Sequence, residues 1–365
     1  MTQSNAQSQG IYIHIPFCRA KCGYCDFNSY AGMEDAMASY TEAVCTEITT
    51  SCGGTADTLY FGGGTPTLLP LPHMQQLLDA VSKHFSLAGD AEITLEANPA
   101  TFDRDQAAAY RAMGFNRISI GVQSFSPLLL RRLGRLHDDK QAIFAVESAS
   151  AAGFTNISID LMYALPGQTP QQLEQDLRRV QSLPISHLSV YGLKIEEGTP
   201  FARQNITVQE DDYVQMYEEI CTLLPEMGFA QYELSNFAHS GAKSRHNLKY
   251  WRHVPYLGLG AGAHSFDGQR RWKNRRSIAD YIAAADKRVA VESLTEQDHL
   301  VEKWILGMRL TEGVPEQLPM QFPGGAAKLR QYANAGFLFY PNPHRIAFTT
   351  KGFLVSNTIL SSFLP

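Results

Sequence analysis

The sequence lacks several features that would place the protein in a specialised class. Charged residues make up 18% of the 365 residues and the formal net charge is -5, so no overall basic surface favours nucleic acid. No run of 18 apolar residues is present to span a membrane. The first ten residues, MTQSNAQSQG, lack the basic and apolar regions of a secretory signal. We therefore expect a globular, cytoplasmic protein that does not bind nucleic acid.

Cysteine is scarce, and it is unevenly distributed. Of the six cysteines, Cys18, Cys22 and Cys25 lie within eight positions. Disulfides are rare in the cytosol, so clustered cysteines there favour metal binding or redox chemistry. The other three fall in or beside helical patterns at irregular spacing and are expected to be buried and structural: Cys45, Cys52 and Cys221.

The C-x3-C-x2-C spacing of these three cysteines predicts a metal site of one of two kinds. A structural zinc ion prefers four ligands, and its fourth ligand is not evident nearby, although His14 could serve. Three thiolates suit a 4Fe-4S cluster in which one iron is left open for another ligand. The cluster is the favoured interpretation and zinc is the alternative.

Short β-rich runs alternate with helical patterns through the first two thirds of the chain. The predicted strands are 11–15, 58–61, 92–97, 117–121, 156–162 and 187–193. The predicted helices are 34–50, 72–84, 103–113, 140–152, 170–181 and 211–226. This alternation predicts an α/β fold with a parallel sheet, in the form of a partial (β/α)6 barrel. A doubly wound sheet is the alternative.

Polar and glycine residues collect at the ends of the predicted strands. The three cysteines follow the first strand, and Gly62 to Thr65 follow the second. Glu96, Gln123 and Asp160 lie at or just beyond the ends of the next three. Any one of these residues alone would be interpreted as a helix cap or a solvated side chain. Because functional groups of β/α barrels lie at this end of the strands, the recurrence predicts a single site on one rim.

Two of these segments carry a family resemblance. The run YIHIPFCRAKCGYCDF at 12–27 and the run YFGGGTPT at 60–67 resemble the signature of the radical S-adenosylmethionine (radical SAM) superfamily. Four further motifs resemble the subgroup that contains oxygen-independent coproporphyrinogen III dehydrogenases and HemW-type heme chaperones: LEANP at 95–99, RISIGVQSF at 117–125, ISIDLMYALPGQT at 157–169 and HNLKYW at 246–251. The resemblance runs from residue 11 to about residue 360.

The resemblance implies that SAM occupies the open iron of a 4Fe-4S cluster and is cleaved by an electron from a donor such as flavodoxin or ferredoxin. It places Gly63, Gly64 and Thr65 against the methionyl amino end of SAM. It pairs Arg135 with the methionyl carboxylate and Asp160 with the ribose hydroxyls. The other positions that match family contacts are Tyr12, Tyr24, Glu96 and Gln123.

Phe27 separates the two branches of the subgroup. The dehydrogenases carry an additional cysteine two positions after the third ligand, where this chain has Phe27. Only 17 residues precede Cys18, fewer than the extension expected of the dehydrogenases, and HNLKYW matches the chaperone pattern. The resemblance therefore implies a heme chaperone that binds heme and transfers it to an acceptor protein. Oxidative decarboxylation of coproporphyrinogen III, or another radical SAM reaction, is the alternative.

The segment after the sixth unit supplies heme-binding candidates. A heme site needs aromatic surface and often an axial ligand, and the candidate ligands here are His246, His253 and His264. The resemblance favours His246, with Tyr250 and Trp251 of the same motif as further heme candidates. Tyr256 adds to the aromatic surface, and the GLGAGAHSF run predicts a tightly packed turn. The basic run RRWKNRR at 270–276 is interpreted as a solvated loop. Heme propionates, an anionic membrane surface or a protein partner are the alternative contacts for that run.

The chain divides into three predicted regions. Residues 1–235 form the radical SAM core, 236–290 a connecting segment, and 291–365 a smaller C-terminal α+β domain. The last region predicts a helix at 294–310, a second at 323–335, and a hairpin turning at PNPH followed by a helix, as in a winged helix. It has few basic residues, so packing, substrate cover or partner contact, including a homodimer, is favoured over DNA binding.

Replacing Cys18, Cys22 and Cys25 together by Ala should abolish the iron and sulfide that the protein takes up on anaerobic reconstitution. None of the three predicted cluster ligands would remain in this variant. Iron and acid-labile sulfide analysis measures the loss. Cys45→Ala is the control and should keep the full content. A triple variant with a complete cluster, or a native protein that holds only zinc, would contradict the assignment.

Overall fold

The computed structural model describes residues 8–364, in which twelve strands form one sheet. Most of the first ten residues, in which no secretory signal is expected, lie outside this range. Six neighbouring parallel strands follow the predicted ones closely: Gln9–Ile15, Gly54–Gly63, Phe85–Ala97, Arg117–Gln123, Asn156–Tyr163 and His187–Gly192. These are called the first to sixth barrel strands below.

Helices follow these strands as predicted. The six main helices are Met37–Thr50, Leu71–His84, Arg104–Ala112, Asp139–Ala151, Pro170–Val180 and Glu210–Glu226. Shorter helical turns are Glu34–Ala36, Pro66–Leu68, Pro127–Leu133 and Pro200–Arg203. Asp103, Asp138 and Thr169 each cap a helix and exchange hydrogen bonds with a glutamine three residues on, which explains where those helices begin.

The strand order decides between the two predicted architectures. Each of the six barrel strands lies beside the strand that precedes it in the chain. A doubly wound sheet would reverse direction part-way, because its strand order contains a switch point. The sheet is therefore a partial (β/α)6 barrel, and the predicted fold class is confirmed. Its parallel strands are buried on both faces, as the consecutive buried residues Ile118, Ser119 and Ile120 show.

Residues 236–290 extend the sheet instead of only connecting two regions. The strand Tyr256–Leu259 pairs in parallel with the free edge of the first barrel strand. Three antiparallel strands continue outward from it: His264–Phe266, Arg270–Asn274 and Arg288–Ser293. The GLGAGAHSF run contains the predicted turn, which lies between the strands Tyr256–Leu259 and His264–Phe266. The loop interpretation of RRWKNRR is wrong, because five of its residues form a strand.

The remaining elements that precede the C-terminal region are short. Ala230–Gln231 and Asn236–Ala238 are antiparallel strands beside the sixth barrel strand, and Arg245–Trp251 and Ile278–Ala283 are helices. Phe17–Cys18 pairs with Tyr30–Ala31 and closes the cysteine loop at its base.

The C-terminal region has the predicted order of helices and hairpin. Its helices are Glu296–Gly307, Gly325–Asn334, Thr350–Leu354 and Ser356–Phe363, with the turn Pro319–Gln321. Its strands are Val314–Pro315, Leu338–Asn342 and Arg345–Phe348, which form a small sheet. The fully buried Trp304 packs 4.7 Å from the ring of Phe363 and joins the last helix to this core. The winged-helix-like α+β prediction is confirmed.

Within residues 8–364, no helix combines the length and the apolar character needed to cross a bilayer.

Candidate functional site

The cysteine loop follows the first barrel strand and is held from both sides by backbone hydrogen bonds. The amide of Gly23 donates to the carbonyl of Leu133 at 3.2 Å, and the carbonyl of Gly23 accepts from the amide of Phe201 at 2.9 Å. A side chain at Gly23 would collide with the Phe201 ring, 2.5 Å from the site of a β-carbon. The loop therefore has a defined path, fixed by the helices after the fourth and sixth strands.

The three cysteines of this loop share one cavity of about 340 Å³, called the cysteine cavity below. All three thiols are free and half-buried. The hydroxyl of Thr65 lies 3.7 Å from the Cys18 sulfur, and Nη1 of Arg135 lies 3.7 Å from the Cys22 sulfur.

The donor set fits a 4Fe-4S cluster. In such a cluster each thiolate binds a different iron, so the three sulfur atoms need not share one coordination sphere. In the described part of the chain, no three His, Cys, Asp or Glu side chains are arranged around a single metal ion. His14, the candidate fourth zinc ligand, has both ring nitrogens in hydrogen bonds, to the Tyr12 hydroxyl at 2.9 Å and the Asn28 carbonyl at 2.8 Å.

The glycine run at the end of the second barrel strand packs against the end of the first barrel strand and the start of the cysteine loop. The amide of Gly64 donates to the carbonyl of Ile15 at 2.9 Å, and the amide of Thr65 donates to that of Phe17 at 2.8 Å. A β-carbon at Gly64 would lie 2.6 Å from the Phe17 carbonyl oxygen, and Gly63 has a φ of +115°. Only glycine fits this turn, which leaves backbone exposed to the cavity.

Glu96 fixes the same turn from the third barrel strand. Its Oε2 accepts the amide of Gly63 at 3.0 Å, and its Oε1 accepts the hydroxyl of Tyr60 at 2.7 Å. Burial raises the pKa of Glu96 to about 7. The carboxyl can therefore gain or lose a proton near neutrality, and Glu96 lines the cysteine cavity.

Arg135 and Asn98 form a polar pair beside the cysteines. Nη2 of Arg135 donates to Oδ1 of Asn98 at 2.5 Å and to the carbonyl of Gly121 at 2.6 Å. Nε of Arg135 is buried and has no hydrogen-bond partner among residues 8–364. A buried, unpaired donor of this kind favours an anionic ligand such as a carboxylate.

Asp160 lies at the end of the fifth barrel strand. It accepts the Ser119 hydroxyl at 3.3 Å and a hydrogen bond from Ser189. Burial is the main cause that raises its pKa, while these hydrogen bonds and Arg117 lower it. The carboxyl faces the cysteine cavity, where it could accept hydroxyl groups of a ligand.

Most of the predicted cofactor residues converge on this cavity. Its lining includes ten of them: Cys18, Cys22, Cys25, Tyr24, Gly63, Gly64, Glu96, Gln123, Arg135 and Asp160. Gln123 adopts a φ of +69°, which turns the chain at the end of the fourth strand. Two predicted residues lie elsewhere: Tyr12 lines the neighbouring cavity, and Thr65 lines a smaller one behind the cysteine loop.

Several lining residues were not predicted from the sequence: Asn98, Ser119, Met162, Tyr191, Lys194 and Glu196. Asn98 belongs to the LEANP motif, which assigns it no role. Met162 and Tyr191 lie at the ends of the fifth and sixth barrel strands, the position that identified Glu96 and Asp160. The strand-end rule could therefore have found them.

A second cavity of about 510 Å³ adjoins the first. The two share Asp26, Phe27, Gly63 and Glu96 in their linings. The rest of the second cavity's lining comes from the first strand and loop and from the segment after residue 249: Tyr12, His14, Asn28, Tyr250, Tyr256, Gly262, Ala263, His264, Lys273 and Arg276. Phe27 is 64% exposed and stands between the two spaces.

The structure does not support His246 as an axial heme ligand. The ring is 1% exposed, and both nitrogens are hydrogen-bonded at 2.8 Å, Nδ1 to the Thr58 hydroxyl and Nε2 to the Tyr250 hydroxyl. Its backbone amide donates to Glu92 at 3.0 Å. His246 therefore fixes the short helix Arg245–Trp251 onto the barrel.

The other two heme candidates differ from each other. Tyr250 lines the second cavity, whereas Trp251 packs against the apolar cluster that contains Tyr232, Leu248 and Leu310. Trp251 is absent from the lining of either cavity. Of the three candidates, only Tyr250 faces a space that could hold a ligand.

Comparisons with known proteins agree with this geometry. Residues 12–180 match the model of the radical SAM superfamily. The heme chaperone HemW of Lactococcus lactis is 36% identical over 97% of this chain and 96% of that protein. HemW of Bacillus subtilis is 35% identical over 97% of this chain and 98% of that protein.

This chain belongs to the HemW family of radical SAM proteins. HemW of Escherichia coli K12 is also similar, with 43% identity over 70% of this chain and 69% of that protein. Among solved structures, the radical SAM enzyme coproporphyrinogen III oxidase (HemN) from E. coli has a TM-score of 0.84 and 24% identity, and it covers 98% of this chain and 90% of that one. That likeness shows a shared fold. Family membership implies a 4Fe-4S cluster and SAM.

Arg135→Ala and Asp160→Asn should each weaken SAM binding by roughly tenfold to a thousandfold, because each removes hydrogen bonds to a charged or polar group of the ligand. Equilibrium dialysis on the reconstituted protein measures the affinity. The matched control is Arg131→Ala, an exposed arginine on the helix before Arg135. Both site variants should retain the cluster absorption. Unchanged SAM affinity in Arg135→Ala would contradict its placement.

His246 predicts a pH dependence of stability. Burial lowers its pKa to about 3, whereas the unfolded chain takes up the proton near pH 6.5. Protons therefore favour the unfolded state, and the free energy of unfolding should fall as the pH drops below about 6.5. His246→Gln should make this fall shallower between about pH 7 and pH 5, as measured by urea denaturation followed by fluorescence.

The control for this experiment is His344→Gln, at an exposed histidine in the C-terminal hairpin, which should keep the native pH dependence. The difference in slope isolates His246 from the other buried histidines, which are common to all three proteins. The same slope in His246→Gln and the native protein would show that His246 is not kept neutral in the fold.

Proposed function

We propose that the protein is a heme chaperone that binds heme and transfers it to an acceptor protein. The observation that carries this proposal is similarity over nearly the whole chain to proteins named heme chaperone HemW. The exposed phenylalanine at position 27 agrees with it, because the dehydrogenase branch resembled in sequence carries a cysteine at that position. The likeness to HemN carries no weight for activity, since at 24% identity it shows the fold.

The resident cofactors of the proposed chaperone are a 4Fe-4S cluster and SAM. When bound, they supply one-electron chemistry. Cys18, Cys22 and Cys25 would ligate the cluster through half-buried thiols. Gly63 and Gly64 provide close approach of the backbone, and Glu96 holds that backbone in place.

Polar residues around the cysteine cavity would orient SAM. Arg135 presents a buried Nε to a carboxylate, and Asp160 presents a carboxyl to ribose hydroxyls. Tyr24 and Gln123 complete the wall on the side of the fourth strand. Tyr12 and Thr65 lie outside this wall. In the proposed function the Tyr12 hydroxyl positions His14 and the Thr65 hydroxyl positions Asn98, and neither touches SAM.

The proposed function requires partner proteins of two kinds. An electron donor such as flavodoxin or ferredoxin would reduce the cluster, and a heme-binding protein would accept the heme. A homodimer and contact with an anionic membrane surface are further proposals, suggested by the C-terminal region and by the basic residues near 270–276.

Parallel assays on one anaerobically reconstituted preparation test the function. We expect about one heme per chain by absorption titration, and transfer of that heme to an apo-acceptor such as apomyoglobin. We expect no catalytic formation of protoporphyrinogen IX from coproporphyrinogen III with SAM and reductant. Sustained decarboxylation matched by SAM consumption would replace the chaperone proposal with the enzyme. Absence of stoichiometric heme binding would also contradict it.

A further inference from the structure

Two of the five cations in the basic run RRWKNRR are paired with carboxylates. Nη2 of Arg270 lies 2.8 Å from Asp267, and Nε of Arg271 lies 2.7 Å from Glu292. Arg271 also pairs with Glu302, and Nε of Arg275 donates to the backbone carbonyl of Asp286. Arg270 and Arg271 therefore lie on a solvated strand surface with their charges balanced.

Lys273 and Arg276 differ from the paired cations Arg270 and Arg271. Over residues 8–364, neither is in ion-pair contact with a carboxylate. Both side chains are exposed, and both line the second cavity. The carboxyls of Asp26 and Glu96 also line it, in the part shared with the cysteine cavity. Two unpaired cations on one wall favour a ligand that carries carboxylates.

His264 lies directly across the sheet from Lys273, in the antiparallel register of two adjacent strands. Residues opposite each other on neighbouring strands project to the same face, so the imidazole and the ammonium border the same space. The ring is exposed and lines the second cavity. Imidazole is the commonest side-chain ligand for metals in proteins.

Aromatic rings form much of the remaining wall. The rings of Tyr250 and Tyr256 meet edge to face at 4.6 Å, and Tyr12 stacks on Tyr60 at 6.0 Å. Phe27 borders the same space from the cysteine loop. Aromatic walls with cations at one side match an amphipathic macrocycle, which has an apolar face and a charged edge.

We propose that the second cavity is the heme site, in which Lys273 and Arg276 bind the heme carboxylates and His264 ligates the iron. This assignment rests on the proposed chaperone function and deepens it. Tyr12, Tyr250 and Tyr256 contact the macrocycle, and Phe27 separates it from the cysteine cavity. The heme therefore lies next to the cluster, and the cysteine ligands stay committed to the cluster.

The carboxylate contacts are tested by titrating ferric heme into tag-free, cluster-loaded protein with SAM present. Lys273→Ala and Arg276→Ala should each weaken binding by about three- to tenfold, and the double variant by more. Heme dimethyl ester, which lacks the negative charges, should bind all these proteins with similar affinity. Arg270→Ala, in the same basic run but paired with Asp267, is the matched control and should bind heme as the native protein does.

The iron ligand is tested by spectroscopy of the same complexes. His264→Ala should shift the Soret band and abolish the imidazole-ligated signal in electron paramagnetic resonance, with the cluster absorption unchanged. His344→Ala is the control, because that histidine is exposed in the hairpin far along the chain. A native-like heme spectrum in His264→Ala would overturn the ligand assignment.

The outcomes separate the site from the function. If the native protein binds heme and neither the variants nor the ester change that binding, the site assignment fails while the chaperone function stands. If the native protein binds no heme at all, the proposed function fails as well. Selective loss in the three cavity variants, with both controls unaffected, supports the site.

Discussion

The parallel pairing of the first and second barrel strands is the constraint on which the site depends. This register places Ile15 opposite Gly63 and lets the amides of Gly64 and Thr65 bond to the cysteine-bearing strand. A side chain at Gly64 would displace the Phe17 carbonyl and with it the start of the cysteine loop. The other strands then add Glu96, Gln123 and Asp160 to the same rim, because parallel strands end on one side of the sheet.

Much of this arrangement was predictable because it is local or periodic. The cysteine spacing, the glycine run and the strand-end carboxylates stand in the sequence at positions that β/α alternation brings to one edge. The contact between Asn98 and Arg135 was not predictable, since it joins loops after the third and fourth strands through side-chain geometry alone. The pairing of Tyr256–Leu259 with the first strand was also missed, because about 240 residues separate the two and no turn signal connects them.

His246 and His264 show why histidines are hard to assign from sequence. Both lie in one aromatic-rich segment, and the local sequence does not indicate which imidazole is free to bind a ligand. The partner of His246 is Thr58, 188 residues earlier, and this hydrogen bond with the one to Tyr250 occupies the ring. The same holds for the basic run, where the carboxylates that neutralise Arg271 come from Glu292 and the helix that contains Glu302.

The late pairing of the first strand has a consequence for assembly on the ribosome. Every residue that lines the cysteine cavity lies between Cys18 and Glu196, whereas the second cavity also needs residues 250–276. Synthesis proceeds from the N-terminus. The outer edge of the first strand therefore stays unpaired until the ribosome has made Tyr256–Leu259. The nascent chain therefore completes the wall around its thiols before the tyrosine-lined space exists, so iron–sulfur insertion can precede any encounter with a macrocycle.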